Sequence, residues 1–324
     1  MVPRVMCLGA VNVDLLYQVP DLSPFLAAWP GLRPGGEVAL VPGEEAPLQD
    51  LLASYARFRG REGGGQAANS ALALARMGLP AALIGRVGAD ADGAFLRESL
   101  VGVNLEYLVT AGASGRAYIL VDPAGERTIL VAPNTNDDLM EADVAGQVLA
   151  RARFLHLTSF AGDGPLKVQT ALARRLHGGP RLTLDPGELY ARRGREVMQD
   201  LLDQVETLLV TEREWRLLGG EMDRRPDWAP PVVLIKRGPQ GARMLTPARY
   251  RYLDFPAEPV SRLVDTLGAG DVFAAGYLAG LYLKLHLTAA VRLAVKAAAY
   301  KLAGAGRDRY PDQKFLEDAI LELH

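Results

Sequence analysis

The residues best placed to do chemistry lie near the C-terminal end, in Val264-Asp265-Thr266-Leu267-Gly268-Ala269-Gly270-Asp271-Val272, where a polar turn runs straight into an apolar helix. Gly268 and Gly270 carry no Cβ, so the backbone there can approach a ligand closely. Amides at the start of a helix lack intrahelical acceptors and sit at the positive end of the helix dipole. A turn that offers the N–H groups of Gly268, Ala269 and Gly270 binds an anion, and phosphate is the usual one. Asp271 separates this turn from a plain phosphate cradle. A carboxylate gains nothing beside a group that only binds phosphate, but it serves as a base when a phosphoryl group moves onto an alcohol. Aspartate ahead of an apolar helix is also an ordinary cap, so the reading needs support from the rest of the chain.

That support is spread along the sequence. Val5–Leu8 reads as a buried first strand that continues towards Tyr17; Asn12 and Asp14 share a face if it stays extended, and a carboxamide beside a carboxylate suits sugar hydroxyls, which both donate and accept. Gly63-Gly64-Gly65 opens a helix of good formers that Gly78 closes. Asp14, Asp185, Thr211, Lys236 and Asp271 each fall just after an expected strand. In a parallel sheet, ligands bind beyond the carboxyl ends of the strands, so one crevice would gather all five.

The stretch from Asp265 to Asp271 resembles the second signature, D-T-x-G-A-G-D, of the PfkB (ribokinase-like) family of carbohydrate kinases, at every defined position. Gly64, Gly65 and Asn69 match the first signature, G-G-x-x-x-N before an Ala-rich helix. Lys236, Gly238 and Gly241 look like the family's K-x-G-x-x-G nucleotide loop. Thr211 to Glu214 stands where the family has N-x-x-E, with Thr in place of Asn. The resemblance spans the chain except for Pro20–Gly60. It implies an α/β, ribokinase-like three-layer sandwich with a mainly parallel central sheet flanked by helices and a small β-sheet lid. The whole chain, 1–324, would be one kinase domain, with lid segments at about 13–42 and 113–134.

The activity implied is ATP-dependent phosphorylation of a hydroxymethyl group of a sugar, with a nucleoside as the alternative acceptor and a sugar phosphate less favoured. Asp271 would be the base and Gly268, Ala269 and Gly270 the anion hole. Asn12, Asp14, Gly64, Gly65 and Asn69 would hold the acceptor. Thr211, Lys236, Gly238, Gly241 and Thr266 would hold ATP, with Glu214 and Asp265 serving Mg2+. A monovalent cation is left open. Gln66 stands where ribokinases carry Lys, so ribose as substrate does not follow.

Four short apolar runs, Phe154–Leu157, Leu182–Asp185, Thr207–Val210 and Val232–Ile235, alternate with helical stretches, as in a parallel sheet covered on both faces. Ala117–Asp122 and Arg127–Ala132 form a hairpin. By the resemblance it would belong to the lid, whose apolar face needs covering by substrate closure or by a second subunit, and a homodimer through the lid is expected because related kinases often form one. Pro20–Gly60 reads as a loop-rich insertion with one helix around Leu48–Phe58. Lys and Arg number 36 against 38 Asp and Glu, for a formal charge of −2, which argues against nucleic acid as a partner. No P-loop motif occurs, and the histidines have no zinc-site spacing. Cys7 reads as a small buried hydrophobe of the first strand. With no signal-peptide pattern and no apolar run long enough to span a membrane, a cytoplasmic protein is expected.

Overall fold

The computed structural model describes residues 4–144, 149–176, 178–247 and 252–323. Its strands are β1 (Val5–Leu8), β2 (Asn12–Gln18), β3 (Glu37–Ala39), β4 (Arg57–Gly64), β5 (Ala81–Val87), β6 (Leu108–Thr110), β7 (Gly115–Val121), β8 (Arg127–Ala132), β9 (Phe154–Thr158), β10 (Arg181–Asp185), β11 (Thr207–Thr211), β12 (Val232–Lys236), β13 (Ala242–Leu245) and β14 (Leu253–Phe255). Nine of them form one sheet in the order β14-β13-β12-β11-β10-β9-β1-β5-β6. It is parallel from β12 to β6, and β13 pairs antiparallel on both sides.

Alternation along the central strands makes the three layers. Val5, Cys7, Leu83 and Leu234 face helices Gln66–Arg76, Ala269–Tyr282 and Leu287–Leu302. Met6, Leu8, Ile84, Leu157 and Ile235 face the opposite layer, which includes Asp163–Arg175 and Gly194–Leu202. Mostly apolar runs are what a sheet buried on both faces requires. Cys7 is fully buried, as expected.

The other five strands form a second sheet in the order β3-β8-β7-β2-β4. Two expectations change here. The first strand does not continue to Tyr17. It stops at Leu8, and β2 belongs to the second sheet. Gly9 lies at the crossing, where an added Cβ would sit 1.8 Å from Thr158 Oγ1. The glycine stretch before Gln66 is not only a turn, because Arg57–Gly64 is a strand paired to β2, with Asn12 opposite Gly64 and Asp14 opposite Glu62. The second sheet therefore includes a strand outside the two segments 13–42 and 113–134. The insertion's helix runs over Glu45–Tyr55.

Both faces of the second sheet are covered by this chain. Ala117, Ile119 and Val131 point inward, with Leu267 packed against them. Tyr118, Leu120 and Leu130 point outward and are buried under Phe25, Trp29, Leu48 and Leu52. The insertion thus covers the outward apolar face of this sheet from within the same chain. Edge strand β4 carries Arg57, Arg59 and Arg61, and charge of this kind protects an open edge from pairing. The chain should therefore run at single-chain mass in sedimentation at micromolar concentration. A stable dimer protecting Ser23–Ala28 and Glu45–Tyr55 from hydrogen exchange would overturn this.

Candidate active site

A cavity of about 280 Å3 lies between the carboxyl ends of the central strands and the inner face of the second sheet. Its polar wall includes Asn12, Asp14, Glu37, Asn69, Glu214 and Asp271; Ala117, Ile119, Ile129 and Val131 form its apolar roof. Asp271 belongs to the first turn of helix Ala269–Tyr282, not to the end of a strand, and Asp14 lies within β2. Asp185, Thr211 and Lys236 do end their strands.

The Asp271 carboxylate is buried, and Asn69 Nδ2 donates to its Oδ2 at 2.8 Å. Arg307 sets the direction of that bond. Its Nε and Nη2 donate to Asn69 Oδ1 at 3.0 and 2.8 Å. A guanidinium only donates, so the amide oxygen must face Arg307 and the NH2 must face Asp271. Burial pushes Asp271 up to about 7; Asp185 adds to the rise, while the Asn69 bond, Lys236 and Arg307 oppose it.

Gly268 starts the turn at φ +73°, a left-handed conformation, and a Cβ there would lie 2.7 Å from the Tyr310 hydroxyl. Ala269 N–H donates to the Thr266 carbonyl at 3.2 Å, so this amide is spent within the turn. Among the described residues, no protein acceptor takes the N–H groups of Gly268, Gly270 or Asp271. Asp271 therefore takes the place of Ala269 in the set of open donors that the sequence suggested. Lys236 Nζ would lie 3.3 Å from a Cβ on Gly270, which brings an ammonium to the same turn. It pairs with Asp185 Oδ2 at 2.6 Å. Burial works against its charge, but Asp185 and Glu214 outweigh this and hold Lys236 above its usual value.

Asn12 and Asp14 do share a face and line the cavity. Asn136 Nδ2 donates to Asn12 Oδ1 at 2.8 Å. Burial raises Asp14 to about 7, with Arg307 opposing. Gly64 and Gly65 have packing reasons: a Cβ on Gly64 would lie 2.0 Å from Asp14 Oδ1, and one on Gly65 would lie 2.2 Å from the Ala10 carbonyl. Gln66 accepts from Ser159 Oγ at 2.9 Å and also lines the cavity.

The residues expected to hold nucleotide and metal divide. Glu214 lines the cavity with its carboxylate pushed up by burial. It also forms a capping box with Thr211: Glu214 N–H donates to Thr211 Oγ1 at 3.2 Å and Thr211 N–H donates to Glu214 Oε2 at 2.7 Å. Thr211 is thereby explained as a helix cap. Gly238, at φ +54°, has open space around a would-be Cβ, whereas one on Gly241 would meet the Phe255 carbonyl at 2.0 Å. Thr266 Oγ1 accepts from Arg127 at 2.8 Å. Asp265 is the expectation that fits worst. Its Oδ1 accepts from Arg127 and from Leu267 N–H, and its Oδ2 from Lys301 and Gly306 N–H. Those four donors, two of them cationic, occupy the carboxylate that a metal would need. Among the described residues no three acidic, histidine or cysteine side chains form a ready metal site. Glu214 beside Asp185 suits an ion that arrives with its own waters and phosphates, the usual habit of Mg2+.

Sequence reading missed Arg307, Asn136 and Glu37. Glu37 comes from the short strand β3, and burial, with Glu188 and Glu214 adding, pushes it up to about 8.

A buried carboxylate beside open amides and a lysine, at the carboxyl ends of a parallel sheet and beneath a second small sheet, is the arrangement of a ribokinase-like small-molecule kinase. The chain belongs to the pfkB family of carbohydrate kinases, whose family model matches residues 54–309. It is 33% identical over 222 residues to an uncharacterized sugar kinase of Archaeoglobus fulgidus, covering 66% of this chain and 87% of that protein. It is also 33% identical over 237 residues to an ATP-dependent ribose-1-phosphate kinase of Halopiger xanaduensis, covering 69% and 74%. The fold is shared with the crystal structure of adenosine kinase from Sinorhizobium meliloti, at a TM-score of 0.84 and 21% identity, covering 98% of this chain and 100% of that one. Membership of the family implies ATP and Mg2+ as its cofactors. Among the described residues no helix is long and apolar enough to cross a membrane.

The raised carboxyls make stability depend on pH. Asp14, Glu37 and Asp271 keep protons to about 7, 8 and 7 in the folded protein, whereas an unfolded chain loses them near about 4. Between those limits the folded state binds more protons, so stability falls as pH rises through that window. Glu37→Gln should lower the drop in melting temperature between mildly acidic and mildly alkaline buffer. An unchanged drop would mean Glu37 is not held up by burial.

Proposed function

We propose that the protein is a cytoplasmic ATP-dependent kinase that phosphorylates a hydroxymethyl group of an unphosphorylated sugar, with Asp271 as the base. The observation that carries this reading is the buried Asp271 carboxylate, aimed by Asn69 beside amides left open at a helix start. Glu214 would hold hydrated Mg2+, which would offset the phosphate charge of the ATP that supplies the phosphoryl group. Asp271, ionised above about pH 7, accepts the proton of the acceptor hydroxyl. That transfer can be late, because the phosphoryl transition state is loose. The amides of Gly268, Gly270 and Asp271 meet the growing charge; one preorganised donor of this kind contributes about 3–4 kcal/mol. Asn12 and Asp14 hold the acceptor's other hydroxyls, and the apolar roof of the second sheet excludes water as a competing acceptor.

The choice of acceptor rests on what lines the cavity. Asp14, Glu37 and Glu188 stand in its wall. Five nearby arginines are already paired: Arg86 with Asp143, Arg116 with Asp92 and Glu45, and Arg33, Arg192 and Arg213 with Glu188 of the wall itself. None of the five is among the cavity's lining residues. Among the described residues, no lysine or arginine lines the cavity to meet a phosphate on the acceptor. Phe25 and Trp29, which a nucleoside base would stack on, are buried under the second sheet, and Tyr55 is outside the cavity.

ADP release across free sugars, nucleosides and sugar phosphates, ribose 1-phosphate included, tests the reading, with a free sugar expected to give the highest kcat/KM. A sugar phosphate or nucleoside outperforming every free sugar would reassign the acceptor. Asp271→Asn should cut turnover by about 10²- to 10⁴-fold while ATP binding, followed by calorimetry, survives. Near-normal turnover in that variant would remove Asp271 as the base.

A further inference from the structure

Lys301 has no part in the mechanism above, yet it is a charged side chain with none of its surface exposed. It lies on the buried face of helix Leu287–Leu302, in line with Ala290, Ala294 and Ala297. Its ammonium donates to the main-chain carbonyl of Asp265 at 3.0 Å and to Asp265 Oδ2 at 2.9 Å. The same helix end receives the N–H groups of Val264 and Asp265 at the Leu302 carbonyl, at 2.9 and 3.3 Å. From the loop beyond, Gly306 N–H adds a bond to Asp265 Oδ2 at 2.8 Å. Arg127, from the second sheet, holds the other carboxylate oxygen.

Burying an ammonium is unfavourable until pairing offsets it, and an apolar side chain of similar volume would fill this place without that cost. An alkyl chain cannot do what the ammonium does, which is to bind a main-chain oxygen and a carboxylate oxygen of the same residue at the entrance to the anion turn. Oxygen ligands of just these two kinds are what a bound alkali cation takes. Here the charge is carried on the chain itself.

We propose that Lys301 is a tethered monovalent cation that fixes the turn 265–271, and that turnover therefore needs no added potassium or other monovalent ion. The proposal rests on the reading that this turn receives the transferring phosphoryl group. Lys301 is a positioning residue, acting through Asp265 and touching no reactant.

The test compares potassium chloride with tetramethylammonium chloride at equal ionic strength. Wild-type enzyme should turn over at indistinguishable rates in both, and its melting temperature should not respond to the exchange. Lys301→Ala should lose about 100-fold in kcat through misplacement of the turn, with KM for the acceptor little changed, since Asn12 and Asp14 are untouched. Ammonium or potassium ions should restore part of that kcat and raise the variant's melting temperature, which a merely structural lysine would not predict. A wild type that requires potassium, or a variant that neither ion restores in rate or melting temperature, overturns the proposal. Should Lys301→Ala fail to fold, the wild-type comparison decides alone. Failure of the kinase reading has a different signature: no acceptor yields ADP in either salt, and the two melting-temperature comparisons still decide the role of Lys301.

Discussion

The carboxylate of Asp265 gathers donors from three parts of the molecule: Arg127 from the second sheet, Lys301 from the end of a helix, and Gly306 from the loop that follows it. Its own turn adds Leu267 N–H. Each bond is ordinary alone, but charge-assisted bonds converging on one half-buried carboxylate fix position as well as energy. The open amides of Gly268 and Gly270 keep their direction because the residue that leads into them cannot move. Arg307 belongs to the same loop as Gly306 and orients Asn69, so the anion turn and the aim of Asp271 depend on a common support.

The cavity itself runs against stability. Asp14, Glu37, Glu214 and Asp271 are all raised by burial, and they stand close enough to raise one another. Lys236 is the ammonium set among them, and it is bound to Asp185. A folded protein keeps such an arrangement only where the surrounding structure over-determines it, and here the layers packed on both faces of the central sheet supply that.

Much of this was legible from local pattern. The apolar runs that became β9, β10, β11 and β12 stand out because a strand buried on both faces is apolar at most positions, with His156, Thr183 and Thr207 as buried exceptions. The signature at 265–271 carried the family. The second sheet was harder to read. Arg57–Gly64 is an edge strand of arginine and glycine, with no apolar alternation to reveal it. The residues from Val5 to Tyr17 read as one strand because both halves are apolar; the crossing at Gly9 depends on Thr158, far along the chain. Asp265 read as a metal ligand because an aspartate beside a phosphate turn suggests one, and its four donors come from positions no local window contains. Arg307 meets Asn69 across 238 positions. Lys301 did leave a trace, as a lysine on the apolar face of its helix, in register with Ala294 and Ala297.

The division of labour between the two sheets has a consequence for how this enzyme can change. Asn12, Asp14 and Glu37 are carried on strands of the small sheet, whereas Asp271, Lys236 and Glu214 belong to elements of the large one. On the function proposed above, acceptor preference would be encoded largely in a few short strands with their own apolar cluster, and phosphoryl chemistry in a different layer. Substitutions in the first can drift without disturbing the second, and Arg127 is the point where the two inheritances are tied together.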